Sequence, residues 1–179
     1  MRKSAFLLSL PVLVAAAPLL ADETLPTTPP EGFVLAREAV DPMGTRSMYE
    51  HVPAGQSVWD WTTKVMIQTV PKMRAPAGYT ASVARTFEGN CDGAQVATLL
   101  EGEEGGHAVS MIQAACPATK SDGAPAAFLM KAIDGAETTY VVEWAWQGAL
   151  PDAAQIDEAR RFLEGRVLCD DATGSCPSS

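Results

Sequence analysis

The feature that most constrains this chain is its N-terminal leader, because the leader decides which residues fold and in which redox environment. Arg2 and Lys3 precede a long apolar stretch, and a small residue, Ala21, stands before the polar segment that begins at Asp22. This order is typical of a secretory signal peptide. A retained membrane anchor is the alternative, but the stretch is short for a bilayer and is interrupted by prolines. We predict a cleaved signal peptide over residues 1–21.

The charge balance argues against partners that carry many phosphates. The chain has 13 basic and 22 acidic side chains, with a net charge of −9. Loss of the leader removes two basic residues and no acidic ones, which changes the net charge from −9 to −11. A negative charge of this size repels nucleic acids and anionic lipid surfaces. We expect no nucleic-acid partner, and no membrane span once the signal peptide is removed.

The remaining length fits one domain. A chain of about 150 residues buries roughly two thirds of its unfolded surface, which is enough for a core without a metal or a second subunit. We expect residues 22–32, rich in proline and threonine, to be an extended, mobile lead-in. Residues 33–179 are predicted to form a single domain, and the protein is expected to be a monomer.

Four cysteines remain after export, and an oxidising compartment usually pairs an even number of thiols. Three connectivities are open. A cysteine-based metal site is the alternative, but the chain has no close CxxC pairs and only two histidines. We therefore predict two disulfides, no bound metal and no cofactor.

A candidate β-hairpin around the acidic, glycine-rich turn at 101–106 favours one connectivity. Folding about the middle of this turn sets Leu100 opposite His107 and, further out, Cys91 opposite Cys116. Cysteines that face each other across an antiparallel pair lie within bridging distance. We therefore predict a disulfide between Cys91 and Cys116.

The other two cysteines lie close together near the C terminus. Cys169 and Cys176 are separated by a short segment that contains Gly174, so they can close a small loop. In the chain-entropy description, the first bridge contributes about 3.5 kcal/mol and this smaller one about 2.4 kcal/mol. We predict that Cys169 pairs with Cys176.

The first part of the domain predicts mainly strands. Residues 33–40 fit either a short helix or a strand, and residues 47–52 fit a strand. Residues 57–60 have a hydroxyl and a carboxylate at the spacing of a capping box, which predicts a short helix. From Trp61 onwards the side chains alternate with a two-residue period, which predicts a strand that ends at Pro71.

Two amphipathic helices are predicted further along the chain. Tyr79, Val83 and Phe87 recur at four-residue spacing, which predicts a helix over 79–88. Asp152 is a suitable N-cap for a last helix. The apolar stripe of that last helix consists of Ile156, Ala159, Phe162 and Leu163.

A second hairpin is predicted between these helices. Asp134-Gly135 is the pair that a two-residue type I′ turn prefers, and such a turn sets Leu129 opposite Tyr140. The element order predicts an α+β domain in which helices pack on one face of an antiparallel sheet, as a two-layer sandwich.

The chain lacks the usual catalytic motifs, including G-x-S-x-G, H-E-x-x-H, S-x-x-K and a phosphate-binding glycine loop. His51 and His107 have no neighbouring nucleophile in sequence. This favours a protein that is not an enzyme. The alternative is a hydrolase whose site is assembled from distant residues such as Glu143, His107 and Asp170.

Two further clusters have both a functional and a structural interpretation. His107 near Glu101, Glu103 and Glu104 resembles a weak metal site, but a solvated acidic turn is the favoured interpretation. Trp61, Trp144 and Glu143 are candidates for a ligand pocket. For the tryptophans, including Trp59 and Trp146, packing in the core is favoured, and Glu143 between two tryptophans would ordinarily face water.

Three segments resemble a known group of sequences. They are residues 50–70, EHVPAGQSVWDWTTKVMIQTV, residues 140–146, YVVEWAW, and the tail at 167–170 with Cys176. These segments are similar to a family of small exported proteins of unknown function from Gram-negative bacteria, chiefly alphaproteobacteria. The resemblance implies export and a terminal cysteine pair, and it implies no reaction or cofactor. The element order alone is similar to two-layer sandwiches of the PsbP and Mog1 type.

These observations predict a disulfide-bonded periplasmic or secreted protein. We expect a binding or accessory protein of the cell envelope, whose partner is an envelope protein or a small ligand. A secreted hydrolase and a secreted inhibitor or effector are the alternatives.

Overall fold

A computed structural model describes residues 23–170 of the chain, and its centre is a seven-stranded antiparallel sheet. The elements, in chain order, are β1 (Glu23–Thr24), β2 (Phe33–Val40), β3 (Ser47–Pro53), β4 (Thr63–Pro71), α1 (Pro76–Gly89), β5 (Gln95–Glu104), β6 (His107–Cys116), β7 (Ala126–Asp134), β8 (Thr138–Gln147), α2 (Ala153–Glu164) and β9 (Cys169–Asp170). The strand order in the large sheet is β2-β3-β4-β8-β7-β6-β5, and β1 pairs separately with β9. The predicted α+β class and antiparallel sheet are confirmed.

The sheet is buried on both faces because its central strands carry apolar side chains on both sides of the pleat. On β8, Val142 and Trp144 belong to one buried cluster, whereas Val141 and Ala145 belong to a second cluster on the opposite face. All four side chains are less than a tenth exposed. Strands of this kind need cover on both faces.

The two helices lie on opposite faces of the sheet, so the expected two-layer arrangement with both helices on one face is wrong. On α1, the buried Thr80 hydroxyl forms a 2.8 Å hydrogen bond with Ser110 of β6. On α2, Phe162 meets Trp144 edge-on at 5.4 Å between ring centroids. The physical reason is the apolar character of both faces of β7 and β8, which a single helical layer would leave half covered.

Local sequence explains where the helices begin. Pro76 occupies the first turn of α1, where its missing N–H costs no helical hydrogen bond. Asp152 and Gln155 form a reciprocal capping box at the start of α2, with both hydrogen bonds at 2.9 Å. The predicted cap and both predicted helices are therefore confirmed, with α1 extended by a few residues at its N terminus.

A fully buried lysine ties α2 to the sheet. The Lys131 amine, on β7, pairs with the Glu104 carboxylate and donates to the carbonyl oxygens of Leu163 and Arg166, the latter at 2.9 Å. A cation at the C-terminal end of a helix neutralises the partial negative charge there. Lys131 thus stabilises the α2 end and neutralises a carboxylate from the edge strand β5.

The first hairpin contains the predicted disulfide but not the predicted register. Cys91 and Cys116 are bonded, with Cα atoms 5.8 Å apart. The strand pairing sets Glu104 opposite His107, so the turn is much tighter than expected and a bulge follows at Thr98. Cys91 lies outside β5. The bridge therefore joins the segment after α1 to the end of β6, and does not join two paired strands.

The second hairpin also differs from its expected register. Leu129 lies opposite Trp144 instead of Tyr140, and Asp134 pairs with Thr139. The backbone of Gly135 does not adopt the left-handed conformation that a type I′ turn requires. The connection between β7 and β8 is therefore longer than the predicted two-residue turn. Close contacts around Gly135 explain why a glycine occupies this position.

Two local expectations need correction. Residues 57–60 form a turn closed by two 3.2 Å backbone hydrogen bonds between Ser57 and Asp60, and not a helix. The reason is that Ser57 Oγ accepts from the Trp59 amide, two residues on, so the capping bond to Asp60 is not made. Residues 33–40, left open between helix and strand, form β2.

The lead-in is extended, and contacts anchor its described part to the domain. Leu25 lies in the core, and Arg166 donates a 2.8 Å hydrogen bond to the Thr28 carbonyl. The Glu23 carboxylate accepts from the Ala136 amide at 2.8 Å. Its composition did not indicate these contacts, because they depend on residues more than a hundred positions away.

The signal peptide and Cys176 lie outside the described residues, so cleavage and the second disulfide stay predictions. Cys169 is buried and forms no disulfide within residues 23–170. Within the same residues, no helix combines the length and apolar character needed to cross a bilayer.

Candidate ligand-binding groove

Helix α1 covers only part of its face of the sheet. It contacts β5, β6 and β7, and Phe87 packs edge-on against Phe128 of β7 at 5.1 Å between ring centroids. The next strands in the sheet order, β8 and β4, lie beside the helix instead of beneath it. This offset leaves a groove, which we call the α1 groove.

The α1 groove has a volume of about 620 Å³ and mainly apolar walls. One wall is the helical stripe of Tyr79, Val83 and Phe87, and the sheet contributes Val70 and Phe128. This volume lies in the range of small-molecule sites. The residues that line the groove are Arg46, Val70, Pro71, Met73, Arg74, Tyr79, Ser82, Val83, Thr86, Phe87, Asn90, Phe128 and Thr139.

The stripe on α1 that the sequence predicts serves two purposes. Tyr79, Val83 and Phe87 are each only partly buried, and they pack against the second cluster while they face the groove. Burial of a large apolar side chain contributes about 1.5–3 kcal/mol, and a half-exposed side chain keeps part of that free energy available to a ligand. The exposed part of this apolar stripe is the physical basis for binding a ligand in the α1 groove.

The two ends of the groove differ in charge. Arg46 precedes β3, and Arg74 lies just before α1, at the point where β4 has ended. The opposite end, at the C terminus of α1, has the neutral Asn90. The groove is therefore apolar along its length and cationic at one end.

A charged cluster lies on the same face of the sheet, across β2, β3, β4 and β8. Lys64 donates to the nearly buried Glu50 carboxylate at 2.6 Å, and Arg37 approaches the same carboxylate at 3.6 Å. Glu143 stands on the neighbouring strand, where Lys64 and Glu50 both influence its charge. Tyr79 lines the groove and also interacts with this cluster, since burial and, to a smaller extent, the Glu143 charge raise the pKa of its phenol.

Glu143 is the most perturbed carboxyl group in the described part of the chain. The pKa of Glu143 is raised to about 7, chiefly by burial; the Lys64 cation opposes this rise and the Glu50 charge adds to it. Such a group is partly protonated at neutral pH. The expectation that Glu143 would face water is wrong, because its side chain is partly buried on the α1 face of the sheet.

The structure separates the three residues named as a candidate pocket. Trp61 and Glu143 lie on the α1 face, and the Lys64 amine sits 4.7 Å from the centre of the Trp61 ring. Trp144 lies on the other face, where it packs against Phe33 and α2. Together these three residues therefore form no common site.

The remaining tryptophans divide as well. Trp146 is buried and stacks near Trp144, with ring centroids 6.2 Å apart. Trp59, in the turn before β4, is 87% exposed. Packing in the core therefore accounts for Trp144 and Trp146, but not for Trp59.

Both histidines lie on the α2 side of the sheet, away from Glu143. His51 is buried opposite Val65, and burial lowers the pKa of its imidazole. His107 shares a 2.9 Å hydrogen bond with the Asp134 carbonyl. Neither is brought next to the Glu143 carboxylate, so the described residues do not assemble the hydrolase site that was considered.

The acidic loop near His107 is not organised around a cation. Glu104 pairs with Lys131, whereas Glu101 and Glu103 are exposed. Residues 23–170 contain no group of three or more histidine, cysteine or acidic side chains placed to hold a metal ion.

Sequence reasoning missed most of the groove. The stripe on α1 was recognised but assigned to the core, and Arg46, Arg74 and Thr139 carried no signal of their own. Ser47 pairs with Thr69, which aligns Arg46 with the end of β4, and only this register brings these residues together.

A scan of protein-family models finds no match to the chain, and a search of curated proteins finds none either. The resemblance to a family of small exported proteins therefore stays a prediction.

Proposed function

We propose that this chain is an exported, disulfide-bonded binding protein of the cell envelope that holds a small apolar ligand in the α1 groove. The observation that carries this proposal is the groove itself, with about 620 Å³ of space beside a half-exposed aromatic and aliphatic stripe. Removing apolar surface from water contributes about 25 cal/mol for each Å² buried. A ligand that fills the groove gains this free energy without large rearrangement of the sheet.

The cysteines support the proposed compartment. The disulfide between Cys91 and Cys116 is of the kind that persists in the periplasm or outside the cell. The predicted signal peptide agrees with this location. Recovery of the protein from an envelope or periplasmic fraction with Asp22 as its first residue is the result we expect from N-terminal sequencing.

The alternative of a hydrolase has less support. Glu143 has a pKa suited to proton transfer, but the described titratable groups that interact with it are Lys64, Glu50 and the Tyr79 phenol, and neither His51 nor His107 lies on its face of the sheet. An envelope protein as partner, or a role as inhibitor or effector, would need a docking surface whose occupant no observation identifies. The groove therefore favours a small ligand.

The binding proposal is tested with a bulky substitution in the groove. Thr86 is exposed and lines the groove, so Thr86→Trp should fill the space without disturbing the core. N-phenylnaphthylamine, an uncharged dye that fluoresces in apolar sites, serves as the probe. We expect wild type to bind the dye and Thr86→Trp to weaken binding at least tenfold.

The neighbouring residue gives a matched control. Arg85 is exposed on the same helical turn but does not line the groove, so Arg85→Trp should bind the dye like wild type. Ser82→Trp, also in the groove, replaces Thr86→Trp if circular dichroism shows that the latter is unfolded. Absence of dye binding by wild type, or equal binding by the groove variants and the control, would refute the proposal.

A further inference from the structure

The cationic end of the α1 groove has a defined structural origin. Ser47 forms a 2.9 Å backbone hydrogen bond to the Thr69 hydroxyl, which places Arg46 beside the last residues of β4. Arg74 lies at the start of α1, with its stem close enough to Gly78 that a Cβ there would be 3.5 Å from the Arg74 Cβ. Two separate chain segments thus bring guanidinium groups to one end of the same groove.

These arginines keep their charge available. Among residues 23–170, neither Arg46 nor Arg74 forms an ion pair. Asp41 and Asp134, two carboxylates of this region, are engaged elsewhere, because Asp41 accepts from the Thr45 amide at 2.7 Å and Asp134 pairs with Lys72 at 2.9 Å. In a chain with a net charge of −9, two such cations at one apolar groove are notable.

The start of α1 adds to the positive potential. Its N-cap, Ala75, has no side chain that can accept a hydrogen bond, and the first turn contains no acidic residue. The free N–H groups of a helix start carry a partial positive charge. This effect supplements the arginines and is secondary to them.

The groove also has a direction and a length. Its helical wall extends from Tyr79 to Asn90, which at 1.5 Å per residue corresponds to roughly 16 Å. The two arginines lie toward the end near Tyr79, and the apolar part of the wall beyond it is formed by Val83 and Phe87. A compact apolar molecule would leave the cationic end unused.

We infer that the ligand of the α1 groove is a monomeric amphiphile with an anionic head, bound by Arg46 and Arg74, and an apolar chain that lies along Val83 and Phe87. This inference rests on the proposed function and adds the chemical class of the ligand. Arginine suits such a head, because its planar group donates two parallel hydrogen bonds to a carboxylate or phosphate.

Three amphiphiles with the same chain test the head group. Dodecanoate, dodecanol and dodecyltrimethylammonium are compared by displacement of N-phenylnaphthylamine at pH 8, below their micellar concentrations. We expect dodecanoate to displace the dye at a concentration at least tenfold lower than dodecanol, because only the acid gains the charge-assisted hydrogen bonds. The ammonium compound should bind most weakly.

Charge-removing variants locate the head. Arg46→Gln combined with Arg74→Gln should weaken dodecanoate binding at least tenfold and leave dodecanol binding unchanged. Arg85→Gln removes an exposed charge from α1 outside the groove and should change neither.

Each contrary outcome has one meaning. Equal affinities for acid and alcohol, or preference for the ammonium compound, overturn the inference while dye binding leaves the proposed function intact. A protein that fails to bind the dye refutes the proposed function itself. Retention on anionic vesicles without displacement by dissolved dodecanoate also overturns the inference.

Discussion

Glu143 illustrates what one residue position contributes to the behaviour of this protein. Its carboxyl group sits on a central strand, and burial raises its pKa from 4.5 to about 7. Between these two values the folded state binds more protons than the unfolded state. The free energy of unfolding therefore falls as pH rises through this window, by at most about 1.4 kcal/mol per pH unit.

This effect predicts that Glu143→Gln stabilises the protein at high pH. The amide cannot ionise, so the variant should lose the decline in stability between pH 4.5 and 7 that Glu143 causes. At pH 8 we expect a gain of about 1–3 kcal/mol, measured by urea unfolding. Glu158→Gln, on the exposed side of α2, is the control and should keep the wild-type slope. Equal slopes for wild type and Glu143→Gln would contradict this account of the carboxyl group.

The sequence indicated only part of this arrangement. The alternation of YVVEWAW placed Glu143 on the face opposite the tryptophans, but predicted that the carboxyl group faces water. Its neighbours Glu50 and Lys64 are far away in sequence and meet it only through the pairing of β3, β4 and β8. Long-range register of this kind depends on the whole sheet, and local patterns do not determine it.

At the scale of elements, the sequence predicted the two hairpins but not their registers. In the first hairpin, Gly105 and Gly106 both adopt positive φ and allow a tight connection between β5 and β6. The predicted register was wrong because it assumed a longer turn over residues 101–106. In the second hairpin, Gly135 was expected to adopt the left-handed conformation of a type I′ turn. The structure uses it for close approach, because a Cβ there would lie 2.6 Å from a Glu23 carboxylate oxygen and 2.7 Å from the Tyr140 ring.

The crowding at Gly135 predicts a specific loss of stability. Gly135→Ala should lower the free energy of unfolding by about 1–3 kcal/mol, because the added methyl group forces Tyr140 and the lead-in to move. Gly102→Ala, on β5, provides the matched control, since nothing lies within 4 Å of its added Cβ. We expect the control to change stability by less than about 0.5 kcal/mol. Urea unfolding of both variants measures the difference, and equal losses would show that the close approach at Gly135 is not limiting.

The disulfide between Cys91 and Cys116 was predicted correctly although the register of the hairpin was wrong. Contacts outside the hairpin explain this too. Cys91 is placed by the end of α1 and by a bridge between its backbone and Thr119, and not by the pairing of β5 with β6. The number of cysteines and the expected compartment limited the choices. The actual geometry depends on the helix, which packs against β6.

For the whole molecule, the placement of α1 determines the function that we propose. A sheet with two apolar faces needs two helices, and α2 covers β7 and β8 on one side while α1 covers β5, β6 and β7 on the other. The sequence predicted both helices and their stripes. It did not predict that they lie on opposite faces, because amphipathic patterns define the apolar side of a helix and not the face of the sheet that it meets.

The groove follows from this placement. Because α1 is displaced toward β5, its stripe is shared between Phe128 and open space. The arginines at one end come from the loop before β3 and the loop before α1, so no continuous motif records them. A site made from packing and loop positions is visible only once the fold is known.

The most direct test of this account is a titration of the isotopically labelled protein with dodecanoate, followed by two-dimensional NMR. We predict chemical-shift changes confined to the groove, largest at Val83, Phe87 and Thr139, with the opposite face at Ala159 and Leu163 unchanged. Saturation should occur with one ligand per chain. Changes centred on the α2 face, or no changes at concentrations that displace the dye, would contradict the claim that the α1 groove is the binding site.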